Sequence, residues 1–314
     1  MKVPDKEVIL VTGASGLLGS NFILDFCNRY EIHAISQNRL FKHPAVVSHL
    51  FDLTAPSLET LLDKIKPTLI LHFAAATNVD WCEDNFEKAA QINIESTKRL
   101  ALWSAEKNCK FVYMSTDSVF DGEKGNYTVN EKTNPVNQYA RTKLAGEDVA
   151  IQSNPNSLVV RSNIYGWNAQ SQNSLAEWII SKLVKKEKVP GFSDVIFSPL
   201  LVNTLCANIV KMVDVNLTGR WHLGCQSALS KYEFARLISR VFEYDENLIS
   251  PVLVNTVNFK AKRPLNTSLI CDYQLISHGI LLPTIDEEIL KLKKLFDTGY
   301  IKRLKNTNST TNEI

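Results

Sequence analysis

Apolar and polar positions follow two alternating periods along the first half of this chain. Val8-Ile-Leu-Val-Thr12 is an unbroken, mostly apolar run, the pattern of a parallel strand covered on both faces. Beyond it, Phe22, Ile23 and Phe26 recur at the helical period. Gly13, Gly16 and Gly19 stand between, so the spacing predicts a strand, a tight turn and a helix start that meet at the glycines. Gly13 can take a backbone geometry closed to other residues, Gly16 lets the main chain approach a ligand, and Gly19 lets the helix pack on the strand. The helix then turns free N–H groups and a positive dipole end toward a diphosphate. Three spaced glycines also occur in plain strand-to-helix turns. The strand before and the helix after point instead to a dinucleotide site built from Gly13, Ser15, Gly16, Leu17, Leu18 and Gly19.

The same alternation continues. Residues 31–36 read as a second strand, and no acidic residue follows it to hold the ribose hydroxyls of NAD. Ser36-Gln-Asn-Arg39 offers a hydroxyl, two amides and a guanidinium, which suit the 2′-phosphate of NADP. A third strand over 46–51 closes with Asp52-Leu53, and 58–65 form an amphipathic helix with Pro67 beyond it. A fourth strand over 68–73 runs into Ala74-Ala75-Ala76, small residues that leave room for a flat cofactor where open parallel sheets bind ligands. A helix over about 85–107 and a fifth strand over 109–114 complete the pattern of a doubly wound parallel sheet. Later come a sixth strand from Ser157 and an amphipathic helix over 174–188. A further strand over 219–224 precedes a helix capped by Ser230.

Composition narrows the function. A chain of 314 residues can bury a sizeable core in one large or two modest domains, and two lobes sharing a cleft are expected. With 35 basic against 33 acidic residues, no global field draws it to nucleic acid or an anionic membrane, which favours a small-molecule ligand. Six scattered cysteines, without a C-x-x-C pair, read as free thiols of a reducing compartment, and no metal site is expected. No apolar run approaches the roughly 20 residues of a membrane span, so a cytoplasmic location is expected. His72, inside an apolar strand, reads as a core histidine satisfied by a backbone group, and Cys82 as a packed thiol.

Candidate chemistry gathers after the fifth strand, in Ser115-Thr-Asp-Ser-Val-Phe-Asp-Gly122 and then Tyr139-Ala-Arg-Thr-Lys143. Tyr139 and Lys143 are four apart at a helix start and share one face. With the glycine turn, these motifs resemble the extended short-chain dehydrogenase/reductase family. The narrower resemblance is to the branch holding dTDP-4-dehydrorhamnose reductase and the regulatory β subunit of methionine adenosyltransferase. It rests on the Ser115 motif, on Asn137-x-Tyr-x-x-Thr-Lys-Leu-Ala-Gly-Glu147 and on Arg263-Pro-x-Asn266, and covers roughly residues 7–298.

The resemblance implies a Rossmann-type dinucleotide domain over 1–165, with segments near 195–224 returning to it. A mainly substrate-binding lobe over 166–300 and a flexible tail over 301–314 follow. It implies NADP as cofactor, with NAD possible, held by the glycine turn, Arg39, Asp52, Leu53, Ala74, Ala75, Ala76, Tyr139 and Lys143. A nucleotide-linked sugar would meet Val79, Asp80, Thr116, Asn163, Arg263 and Asn266. Tyr139 would donate the proton, with a pKa lowered by the Lys143 ammonium and the oxidised nicotinamide. Lys143 would also hold the ribose, and Thr116, with Ser115 as runner-up, would hydrogen-bond the carbonyl oxygen. Sugar-nucleotide dehydratases place Asp-Glu after this threonine; here Asp117-Ser118 follows, which favours reduction over elimination. An epimerase and a non-catalytic NADP-binding regulatory subunit are the alternatives, and a homodimer is expected. Ser118, Trp81-Cys82 and Asn203 depart from the reductase pattern and bear on the identity of the sugar.

Overall fold

The computed structural model describes residues 6–170 and 174–307. Its centre is a parallel sheet. In chain order the first six strands are β1 (Val8–Thr12), β2 (Glu31–Ser36), β3 (Val46–Leu50), β4 (Leu69–His72), β5 (Lys110–Thr116) and β6 (Leu158–Tyr165). They are followed by β7 (Val189–Phe192), β8 (Ile196–Phe197), β9 (Pro199–Leu201), β10 (Gly219–His222), β11 (Leu229–Ser230) and β12 (Ile249–Val252). The spatial order is β10-β6-β5-β4-β1-β2-β3, with β9 paired to β6, and every pairing in this sheet is parallel. The segments 199–201 and 219–222 therefore return to the sheet after the chain has left it.

Side-chain alternation explains why the strands read as continuous apolar runs. Ile9, Val11, Ile32, Leu69, Leu71, Val112 and Val160 belong to one buried cluster. Leu10, Ile35, Ile70, Phe111, Tyr113 and Val159, the residues between, belong to a second. Both faces are covered, so neither can be polar. The helices that do the covering include α1 (Leu17–Phe26), α2 (Leu58–Ile65), α3 (Val79–Asp84), α4 (Phe86–Ala90), α5 (Ser96–Glu106) and α6 (Gln138–Ser153). The later helices are α7 (Leu175–Val184), α8 (Val202–Asp214), α9 (Lys231–Val241), α10 (Gln274–Ser277), α11 (Ile285–Asp297) and α12 (Tyr300–Asn306), of which α7 and α9 pack on the separate β7–β12 pair. Among the described residues no helix is long and apolar enough to cross a membrane.

Three local readings change. The helix expected over 85–107 is preceded by α3, whose start is capped by the Asn78 side chain accepting from Trp81 N at 3.0 Å. Between α4 and α5 the helix loosens into a π-type turn over Gln91–Glu95. The flexible tail expected from residue 301 is instead helical to Asn306, because Tyr300 and Leu304 have a core to enter. The Tyr300 hydroxyl donates at 3.0 Å to Asn21 and Asp25 on α1 and accepts from Asn203 on α8 at 2.9 Å. Residues 308–314 of that tail lie outside the described residues.

Candidate active site

Strand order reverses between β1 and β4, and ligands of open parallel sheets bind at such a point. A cleft of about 1000 Å³ opens there. Gly13 has φ +67°, and a Cβ on it would lie 2.7 Å from the main-chain N of Ala74. A Cβ on Gly19 would lie 2.3 Å from the oxygen of Gly13. The turn is therefore as tight as its spacing predicted, and α1 begins directly at it. Gln170 straps it from the far side, donating to the oxygen of Ser15 at 2.7 Å.

The cleft brings together Gly13, Ser15, Gly16, Leu17, Leu18 and Gly19 at one end. Arg39, Asp52 and Leu53 lie along the β2 and β3 side, with Ala74, Ala75, Ala76 and Val79 along the β4 side. Thr116, Tyr139, Lys143 and Asn163 close it beyond β5 and β6. Asp52 is held for its place: it accepts from Thr54 N at 2.9 Å and from Gln37 at 3.2 Å, and these bonds keep its carboxyl below the usual range. His72, behind Ala74, is satisfied by hydroxyls rather than by the backbone expected. Its ring nitrogens lie 2.8 Å from Thr12 Oγ1 and 3.0 Å from Thr97 Oγ1, and burial pushes its pKa down to about 3.

Two features show that the cleft suits a polar ligand. Ser36 Oγ, at the end of β2, and Ser162 Oγ, on β6 opposite Thr116, are buried, face the cleft and have no hydrogen-bond partner among the described residues. An orphaned buried hydroxyl costs about 1–3 kcal/mol, a cost that a bound ligand's own polar groups can offset. Ser36 lies where a cofactor's ribose or 2′-phosphate end would sit, and the glycine cradle leaves no space for side chains where a diphosphate would lie. The residues fit a dinucleotide.

At the reactive end, Asn137 caps α6 by accepting from Ala140 N at 2.9 Å, which places Tyr139 and Lys143 on its first turns. Gly146 lets this helix press on β5; a Cβ there would lie 2.2 Å from the Tyr113 hydroxyl. Lys143 is buried, donates to the oxygen of Met114 at 2.7 Å and lies 4.1 Å from the centre of the Tyr113 ring. Burial pushes its pKa down to about 7, with Glu147 one turn on working against the shift. Tyr139 departs from the lowered pKa expected of it. Burial pushes its phenol up to about 12, the Thr116 hydroxyl lowers it, and Asp117 and Cys82 raise it. Without a cofactor's charge, the tyrosine holds its proton firmly. Thr116 donates to Asp117 at 3.1 Å and accepts from Ser118 N at 3.2 Å.

Asp117 is buried and also accepts from Thr267 at 2.6 Å, Asn163 at 2.9 Å and Ser118 at 3.3 Å. Arg263 donates to Asp80 at 2.8 Å, and Asp80 also accepts from Ala261 N at 2.9 Å, so these two assigned residues first serve each other. Asn266 does not line the cleft. Its side chain packs against Gly125 and accepts from Ser268 Oγ at 2.8 Å, shaping the loop after β5. Trp81, which sequence reasoning marked only as a departure, lines the cleft with 37% of its surface exposed.

A family model for the RmlD substrate binding domain matches residues 7–295. The chain belongs to this family. Among its relatives is a protein of Haloferax volcanii described as a "probable low-salt glycan biosynthesis reductase", 30% identical over 91% of this chain and 97% of that one. The β subunit of methionine adenosyltransferase 2 from Bos taurus is 28% identical over 86% of this chain and 82% of that one. Of solved structures, dTDP-4-dehydrorhamnose reductase from Bacillus anthracis, in complex with NADP, superposes with a TM-score of 0.82 at 27% identity, covering 92% and 99% of the two chains. Within this RmlD-type fold, the departure at Asn203 falls on a contact between helices. Asn203 lies away from the cleft and joins α8 to Asp25 at 2.8 Å and to Tyr300.

Proposed function

We propose that this protein reduces a nucleotide-linked 4-keto sugar with NADPH. The observation that carries the reading is the meeting of Thr116, Tyr139 and Lys143 at one end of a cleft whose other end is the glycine turn. In this reading residues 1–165, with the returning segments 199–201 and 219–222, hold the cofactor, and residues 166–300 supply most of the substrate lobe.

NADPH supplies the hydride when bound. Gly13, Gly16 and Gly19 cradle its diphosphate, Arg39 and Ser36 take the 2′-phosphate, and Lys143 and Ser162 take polar groups at the nicotinamide end. Thr116 turns its hydroxyl from Asp117 to the substrate carbonyl oxygen, where negative charge develops. Tyr139 gives its phenolic proton to that oxygen, and the Lys143 ammonium favours the phenolate left behind. Asp117, already engaged by four side chains, is poorly placed to act as a dehydratase acid, and Ser118 beside it carries no acidic proton.

The test is NADPH oxidation across a panel of nucleotide-linked keto sugars. A second reading, a cofactor-binding regulatory subunit, is favoured by the similarity to the methionine adenosyltransferase β subunit. It takes over if no keto sugar is reduced while the protein binds NADPH and alters the activity of a partner enzyme.

A further inference from the structure

One cation within electrostatic reach of Asp117, a residue of the cleft, has no counter-charge of its own. Lys231 is the first residue of α9, behind a Ser230 cap that accepts from Glu233 N at 3.1 Å while the Glu233 carboxylate accepts from Ser230 N at 2.8 Å. The Lys231 main-chain N–H donates to Val195 at 3.0 Å, so the position is fixed on both sides. Strand β7 runs so close that a Cβ on Gly191 would lie 2.7 Å from Tyr232 Cα. This brings Phe192 beside the lysine, whose ammonium lies 6.0 Å from the ring centre. The Phe259 ring lies 6.0 Å from Phe192 and carries the Arg263 guanidinium at 4.6 Å. Two cations thus share one aromatic wall.

They differ in their partners. Arg263 is matched by Asp80 and also donates to the oxygen of Ala261 at 3.2 Å. The Lys231 ammonium has neither a hydrogen bond nor an ion pair among the described residues. The charges that bear on it are Asp117, which favours its charged form, and Arg263, which opposes it. Asp117 is saturated by donors from Thr116, Ser118, Asn163 and Thr267. Lys231 is part-buried, and burial pushes its pKa below the ordinary lysine range. A desolvated, unmatched ammonium works against stability, and such costs are kept where binding uses them.

The geometry points to Lys231 as the anchor for an anionic group of the substrate, the phosphate of a nucleoside diphosphate, on the wall that residues 166–300 contribute. The inference rests on the nucleotide-sugar reading in taking phosphate as the source of the anion. A carboxylate on the sugar would offer the same chemistry. The family resemblance gives this role to Arg263, whose charge is already engaged by Asp80; that of Lys231 is not.

The experiment titrates the NADPH-saturated protein calorimetrically with dTDP, UDP and GDP, with inorganic pyrophosphate and with glucuronate. It uses wild type, Lys231→Met, Lys231→Gln and Lys231→Arg, with NADPH affinity and Tm measured for each. At least one nucleoside diphosphate should bind wild type, weaken tenfold or more in Lys231→Met and Lys231→Gln, and return to within a few fold in Lys231→Arg. NADPH affinity should stay constant, and Tm should hold or rise because an unmatched buried charge has gone. Equal binding of the diphosphate by wild type and the neutral variants overturns the anchor and leaves the nucleotide-sugar reading standing. Equal binding with a lowered Tm does so too, and marks Lys231 as the counter-charge of Asp117. Pyrophosphate binding that is lost in the neutral variants, with no nucleoside diphosphate bound, keeps the anchor and removes the nucleotide. Loss confined to glucuronate overturns the phosphate assignment, and a wild type that binds none of these probes overturns the anchor.

Discussion

Lys143 donates its ammonium hydrogen to the main-chain oxygen of Met114 at 2.7 Å. One side chain therefore ties α6 to β5 and also carries an amine into the cleft that Tyr139 lines. Structural and chemical roles meet in a single group, and substitution should disturb both.

Lys143→Met would leave the Met114 oxygen without this donor, a loss of about 1–3 kcal/mol for an orphaned buried acceptor, partly offset by removal of a desolvated cation. We expect a Tm lower by a few degrees, NADPH binding weaker by about tenfold for one charge-assisted bond, and slower turnover. Scanning calorimetry and NADPH titration of the same sample check it. A variant with unchanged NADPH affinity would remove the lysine from the cofactor site.

Arg39 stands exposed on the rim of the cleft, past the end of β2, with no acidic residue there to hold ribose hydroxyls. If it meets a 2′-phosphate through a charge-assisted bond worth about 1.5–3 kcal/mol, Arg39→Ala should weaken NADPH by roughly tenfold or more. NADH affinity should hardly move. Parallel titrations with the two nucleotides distinguish this from an equal loss, which would sink the assignment.

The Arg263–Asp80 pair joins the 259–263 segment to α3 at the edge of the cleft. Arg263→Ala and Asp80→Asn should each raise KM for the sugar nucleotide and leave NADPH affinity unchanged. Both groups are partly solvated, so the pair itself should add no more than about 1 kcal/mol to stability. Steady-state kinetics with each substrate varied in turn reads the split. Loss of NADPH affinity in either variant would place this contact in the cofactor site.

Acid should destabilise the fold through its buried histidines. His72 falls to about 3 in the fold from an ordinary 6.5, and His222 is pushed to about 4, burial being the main cause for both. The unfolded chain binds the extra protons between those values and 6.5, so stability present above 6.5 is lost as pH falls. At pH 5, about 1.5 units below that value, His72 alone accounts for about 2 kcal/mol. Lys143 acts in a higher window, its penalty standing below about 7 and relieved as pH rises toward 10.5. Denaturant titrations from pH 4.5 to 8 should show the acid slope, shallower in His72→Gln; an identical slope in that variant would contradict the assignment.

What the chain discloses locally, the sequence made readable. The glycine turn, the six strands through Tyr165 and the helix start at Tyr139 depend on neighbours a few residues apart, and period and spacing report them. Contacts across hundreds of residues leave no such trace. Tyr300 enters the core because Asn21, Asp25 and Asn203 await its hydroxyl, which nothing in the polar stretch after it announces. Asn266 likewise turns to Gly125, far back in the chain, and away from the cleft. The orphaned hydroxyl of Ser162 is visible only once β6 lies beside β5. Ser162 does follow Arg161 at the end of an apolar strand beside the predicted site, a signal that could have been used.

Tyr139→Phe tests the central claim most directly, because it keeps the ring and removes only the proton to be donated. With a nucleotide-linked keto sugar that the wild type reduces, single-turnover NADPH oxidation should slow by about 10² to 10⁴, the usual worth of general acid catalysis. Tm and NADPH affinity should stay close to those of wild type. A variant that reduces the sugar within a few fold of the wild-type rate would contradict the assignment of Tyr139 as proton donor.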